Sequence, residues 1–193
     1  ASAVAASGNA GVSGLVTINL IESKTEAGIG GATTQVTALG KGAGLSVDGG
    51  GLQNAPDAST WADPQQFNPV ADLKTTAETV RGIAVRATSL QQVGQLASSI
   101  GVSLVPIASA AVSGLSNTTV LGGSTTAYVD DATLNGSNTG ASSAQQVSVG
   151  AAAHSYNFGG VVSGALSLGA AAVAATIDTG VISRDVKIGR AHV

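Results

Sequence analysis

The chain has 193 residues, with 27 glycines, no cysteine, no methionine, 3% aromatic residues and 10% charged residues. Too few large side chains are present for an ordinary globular core, so the interior must consist of thin layers of small residues; a mean hydropathy of +0.33 with so little charge excludes disorder. The net charge of −3 comes with no basic cluster, which removes nucleic acid and anionic membrane surfaces as implied partners, and the missing thiols exclude disulfides and thiolate metal sites.

The first segment, residues 1–48, has no starting methionine and no signal-peptide pattern, so the chain is expected to begin inside something larger or to have been processed. Val16, Ile18 and Leu20 alternate with Thr17, Asn19 and Ile21, a period of two that predicts a strand. Residues 49–82 depart from this pattern: they hold every proline except Pro106, together with Trp61 and Phe67. They read as an inserted loop, in which Asn68 and Pro69 predict a short helix running to about Val80 before Gly82. If this part of the chain touches a partner, Trp61 and Phe67 are the candidate contact residues, since binding specificity sits on loops held by a rigid scaffold.

Residues 83–146 follow. Leu96, Ile100, Val102 and Leu104 share one face with Ser98, while Ala97, Ser99, Gly101 and Ser103 lie on the other, which again predicts a strand. Residues 147–186 contain the alanine run 169–175, whose helix propensity is opposed by the β-branched Val161, Val162, Val173, Thr176 and Ile177 and by nearby glycines. A strand is expected there. The run 161–177 approaches a membrane span in length, but Ser163, Ser167, Thr176 and glycines dilute it, and no membrane span is expected. A membrane β-barrel would also alternate, but the aromatic girdles it requires are missing.

The chain repeats itself. "GVSGLVTINLIESKTEAGIGGAT", residues 11–33, lies over "AVSGLSNTTVLGGSTTAYVDDAT", residues 111–133, at a constant offset without gaps. "IAVRATS" at 83–89 likewise matches "VSVGAAA" at 147–153. Each unit reads as a short strand, a polar link, a long alternating stretch and a T-x-A-x-[IV] strand. The predicted fold is all-β: a parallel β-helix, or β-solenoid, built from degenerate small-residue repeats with one inserted loop. Residues 1–48 form a partial repeat, 83–146 a complete one and 147–186 another partial one. The partners this implies are neighbouring repeats of the same chain.

"IAVRATSLQQVGQLASSIGVSL", "TTAYVDDAT" and "GVISRDVK" resemble the repeat of leukotoxin-family filamentous adhesins and of other very large, filamentous-haemagglutinin-like proteins of Gram-negative bacteria. The resemblance covers nearly all of the chain apart from the insertion and the last residues. It implies export by an autotransporter or two-partner route, a location at the bacterial cell surface in association with the outer membrane, a long β-helical shaft, and adhesion to a host-cell or extracellular receptor or glycan. It supplies no catalytic residue. A polysaccharide-degrading β-helix and an ice-binding solenoid are the alternatives. The first lacks clustered carboxylates, and the second lacks a T-x-T ladder, because Thr33 and Thr34, or Thr125 and Thr126, are adjacent and face opposite ways.

The family pattern stops at the closing "KIGRAHV". The codons ATC GGA AGA GCA CAC GTC for Ile-Gly-Arg-Ala-His-Val occur in a common sequencing adapter, so residues 187–193 are expected to be a non-native tail.

No catalytic, cofactor-binding or metal site is expected. Glu22 and Glu26 share a face but lie two strand steps apart, too far for paired acid and base work. Asp130 and Asp131 occupy the places of Gly30 and Gly31 and mark a turn. His154 stands alone, Ser155 has no base beside it, and the glycosylation-like Asn117-Thr118-Thr119 arises readily in such a composition.

Overall fold

A computed structural model of the chain describes residues 1–53, 73–107 and 109–189. Ten strands account for its regular structure, with no helix among the described residues: β1 (Ser2–Ser7), β2 (Ala10–Gly30), β3 (Gln35–Val36), β4 (Leu45–Leu52), β5 (Thr75–Val80), β6 (Gly82–Ser103), β7 (Ala110–Asp130), β8 (Thr133–Leu134), β9 (Gln146–Ser167) and β10 (Ala171–Gly189). The all-β expectation holds, and the alanine run lies at the junction into β10 and in that strand.

Two three-stranded sheets carry the long strands, in the orders β1-β6-β9 and β10-β7-β2. β1 runs parallel to β6, from Ser2 against Ser98 to Ser7 against Ser103. β2 and β7 are also parallel: Thr17 bonds Asn117 and Asn19 bonds Thr119, each pair 100 residues apart. That step equals the offset of the sequence repeat, so repeated residues lie beside one another. It ends two residues early at the turn. β3 pairs with β8 as Gln35 with Thr133 and Val36 with Leu134, so Thr33 does not meet Thr133 as the ungapped repeat expects. The slip is absorbed where Gly31 (φ 114°) and Asp131 (φ 50°) both take left-handed turns.

The next step is shorter. Gln95 reaches Asn157 at a separation of 62 residues, and Asn117 reaches Asp178 at 61. The difference from 100 is about the length of the excursion from Leu45 to Val80. That excursion is an antiparallel pair of β4 and β5, registered from Leu45 with Val80 to Asp48 with Ala77 and irregular before Leu52 with Thr75. Its described ladder begins at Leu45, and where the predicted helix reaches Thr75–Val80 the chain is a strand; the predicted helix start at Asn68 and Pro69 lies outside the described residues. Thr75, Thr76, Thr79 and Val80 are β-branched and pair well across a ladder. The polar link expected after the short strand at 83–89 is likewise no interruption, because β6 runs from Gly82 to Ser103.

The chain divides into two compact units: unit 1 is Ala1–Ile21, Gln92–Leu121 and Tyr156–Ile182, and unit 2 is Glu22–Gln91, Gly122–Ser155 and Ser183–Val193. Unit 2 has an aliphatic core of Val85, Ala87, Ala127 and Val129, flanked by Ala27, Ile29, Leu134 and Val149. Unit 1 buries small and polar residues as well as apolar ones: Ala97, Ala111, Leu115 and Leu121, with Ser99, Ser113, Asn117 and Thr119 at 1% exposure or less.

Candidate functional site

A strand sends successive side chains to opposite faces, and in β2 the odd-numbered residues are the more buried throughout. Residues 13, 17 and 19 of the unit 1 part therefore aim Ser, Thr and Asn inward, where their polar atoms must find partners. They do so across the two sheets. Ser13 and Ser99 share a hydrogen bond of 2.8 Å, and Ser113 donates to Ser99 at 2.9 Å. Thr17 donates to the Asn117 carbonyl at 2.5 Å, and the same amide donates to the Asp178 carboxylate at 2.7 Å, a relay across β2, β7 and β10.

Gln95 ties the layers together. Its Oε1 accepts from Asn19 at 2.9 Å and from Thr119 at 2.6 Å, and its Nε2 donates to Asn157 at 3.4 Å. One side chain of β6 thereby joins β2, β7 and β9. At the turns the pattern persists: Ser103 donates to Gly8 O at 3.2 Å, and Ser109 shares a bond of 3.3 Å with Ser167. Such a network fixes register, because a one-residue slip would turn every member to the other face.

The outward face of unit 1 has the opposite chemistry. Val12, Val16, Ile18 and Leu20 on β2 are 67–73% exposed. Leu96 and Ile100 on β6, Val162 and Leu166 on β9, and Val173 and Ile177 on β10 are also exposed. Of the chain's 8 Lys and Arg and 11 Asp and Glu residues, only Asp178 falls in unit 1; it is exposed on edge strand β10 and accepts a hydrogen bond from Asn117.

Unit 2 reverses this arrangement. The same outward face of β2 continues as Glu22, Lys24 and Glu26, all exposed. Lys24 and Glu26 pair at 2.9 Å. That hydrogen bond and the carboxylate charge hold the Lys24 ammonium above its usual value. Inside unit 2, Arg184 of β10 donates to Ser155 at 2.8 Å, to Ser23 at 2.9 Å, to Gly122 O at 3.1 Å and to Ser89 at 3.3 Å. Burial lowers its pKa from the ordinary arginine value. Arg86, on the face toward the excursion, bonds Ser148 at 2.8 Å and pairs with Glu78.

Among the sequence-predicted residues, Trp61 and Phe67 lie outside the described residues, as do 190–193; Lys187 is in β10 and pairs with Asp185. Glu22 and Glu26 face outward two steps apart, as expected. Asp130 closes β7 and Asp131 makes the turn. His154 Nε2 is 2.7 Å from Gly50 O, which fastens the excursion to β9, and Ser155 accepts from Arg184. Asn117 is 1% exposed and bonded on both sides, which closes it to glycosylation. No group of three His, Cys, Asp or Glu suited to a metal ion occurs among the described residues. A cleft of about 510 Å3 lined by Asp48, Lys74, Thr75, Thr88 and Leu90 offers one carboxylate and one ammonium, without a carboxylate pair.

Sequence reading missed Gln95 and Arg184, although Ser, Thr, Asn and Gln recurring on the buried parity of 13–23 and 89–103 signals an interior that must be hydrogen-bonded. No protein family, curated protein or solved structure matches the chain.

Proposed function

We propose that the chain is a non-catalytic structural segment of a large, secreted, surface-displayed bacterial adhesin: a β-solenoid whose coils stack to carry contact surfaces away from the cell. The observation that carries this reading is the identity of two numbers. The sequence repeat and the spatial step between β2 and β7 are both 100 residues, as expected of a chain in which each repeat is one coil. The resemblance of the repeat to filamentous adhesins supports the adhesive role, and the receptor or glycan would meet the excursion, with Trp61 and Phe67 as contact candidates.

Inserting one to four further copies of residues 83–146 after Gln146 tests the architecture. Each copy is expected to lengthen the particle by about 4.8 Å, the spacing between strands, in small-angle scattering. Added copies that leave the longest dimension unchanged, or that extend it as disordered chain, refute the solenoid. The adhesive role is tested separately on intact cells of the producing bacterium. Deletion of the coding region is expected to lower attachment, and external protease is expected to remove the protein from the surface; cells that attach equally well without it refute the role.

A further inference from the structure

Unit 1 is turned inside out by the standard of a water-soluble sheet protein. Its seam holds Ser13, Asn19, Gln95, Ser99, Asn117 and Thr119, while its exterior shows Val16, Ile18, Leu20, Leu96, Val162 and Ile177. The remaining outward positions of its strands are Val, Ile, Leu, Gly, Ala, Ser, Thr, Gln or aromatic, and none carries a charge. The apolar surface belongs to both sheets, so a single protein partner seated on one face would leave the other uncovered. The outward apolar residues of β2 run from Val12 to Leu20, a stretch at the short end of the about 9–11 residues that a tilted membrane-crossing strand takes. The turns at the far end of these strands are uncharged as well, with Leu104, Ile107 and Leu168 at 57%, 83% and 57% exposure. The opposite end is marked by Tyr156 and Phe158, at the start of the unit 1 part of β9, and then by Glu22 and Lys24 on β2.

We propose that the exterior of unit 1 is a lipid-embedding surface whose partner is the hydrocarbon of a bilayer. Acyl chains surround what they solvate and so cover both sheets at once. The tip carries no charge, and the one carboxylate of unit 1, Asp178 on edge strand β10, is bonded to the Asn117 amide and in the inserted form is covered by whatever strand pairs with β10. The charge boundary at Glu22 sets the depth, with Tyr156 and Phe158 at the level where aromatic residues settle at an interface. An open strand edge is costly in hydrocarbon, so in the inserted form β1 and β2 on one side, and β9 and β10 on the other, are paired by further coils or further copies. The inference stands on the stacked sheets alone and does not require the chain to be an adhesin.

The test uses the chain with neutral phosphatidylcholine vesicles. The absence of native cysteine lets Ile18→Cys and Lys24→Cys each carry one environment-sensitive fluorophore. The chain is expected to float with the vesicles, equally at low salt and at about 1 M NaCl, where charge attraction is screened. The probe at 18 shifts to the blue and is quenched by nitroxide-bearing acyl chains, while the probe at 24 stays in water. Ile18→Glu combined with Leu20→Glu is expected to lower vesicle partitioning at least about tenfold. These side chains point outward, so an unchanged far-UV β spectrum separates this loss from unfolding. The proposal is overturned if the chain remains with the aqueous fraction, if the probe at 24 is quenched in place of that at 18, or if the probe at 18 shifts fully without lipid as the chain self-associates, which would make a second copy the occupant. The scattering increments of the inserted repeats are measured without lipid, so failure here leaves the solenoid reading standing.

Discussion

Gln95 and Arg184 hold the two interiors by hydrogen bonds where other proteins use bulk. Gln95→Leu fits the volume but strands Asn19, Thr119 and Asn157. A loss of about 2–3 kcal/mol is expected, measured as a lower urea midpoint with an unchanged slope. Arg184→Met leaves three serine hydroxyls and a carbonyl without their donor, and a similar loss of about 2 kcal/mol is expected. Lys24→Ala is the contrast. The Lys24 side chain is exposed and pairs with the exposed Glu26, so the midpoint is expected not to move at neutral pH. Because the folded pKa is raised, whatever the pair contributes is complete below about pH 10 and is lost as pH rises through the raised value. Gly123 takes φ 137°, and a methyl group there would meet Ser23 O and the Arg184 guanidinium. Gly123→Ala is expected to cost about 1–3 kcal/mol, read from the same denaturation curve. At this scale the sequence was partly legible. Asp130 and Asp131 announced their turn, because Asp tolerates a left-handed backbone and stands where the other repeat has glycine. Gln95 gave no such local sign, since its role arises from three strands distant along the chain.

The long strands could be read from alternation alone, and period two in 16–21 and 96–104 placed both correctly. The return limb of the excursion could not. Asn68 and Pro69 are a sound helix start by local rules, yet Thr75–Val80 pairs with Leu45–Leu52, a tertiary choice that overrides propensity. Nor could the two-residue slip between β2-β7 and β3-β8 be seen in an ungapped repeat, because Ala32 and Thr33 match Ala132 and Thr133 by residue type while the ladder pairs Gln35 with Thr133. The element-level expectation concerns the excursion. Replacing residues 45–80 with a short turn removes the β4-β5 pair, the Glu78 partner of Arg86 and the Gly50 contact of His154. It leaves the ladders of the six strands in the two large sheets untouched. Cooperative unfolding and the far-UV β signature are expected to survive, whereas loss of both would make the excursion part of the folding unit.

Across the whole chain, composition foretold a small-residue interior, and Ala97, Ser99, Ser103 and Ala111 supply it. It did not foretell two interiors of different kinds. The stretches 1–21, 92–121 and 156–182, which hold Asp178 as their one charged side chain, are far apart in sequence, and only the fold gathers them into unit 1. A net charge of −3 averaged over 193 residues conceals that gathering. The missing aromatic girdles argued against a membrane barrel, while the contrast between the two parts of β2, aliphatic to Leu20 and charged from Glu22, lay open to inspection in the sequence.

The β4-β5 pair lies between β2 and β6 along the chain, and the position of its two ends bears on how such a chain can change. Its residues leave the stack at Leu45 and return at Val80, two positions that face each other across the first rung of their ladder. The stack therefore registers only that the chain has come back, and not how far it travelled. Mutation can lengthen, shorten or replace the chain between these two ends without altering the register of the long strands on either side, so this part of the chain can change while the two large sheets stay as they were.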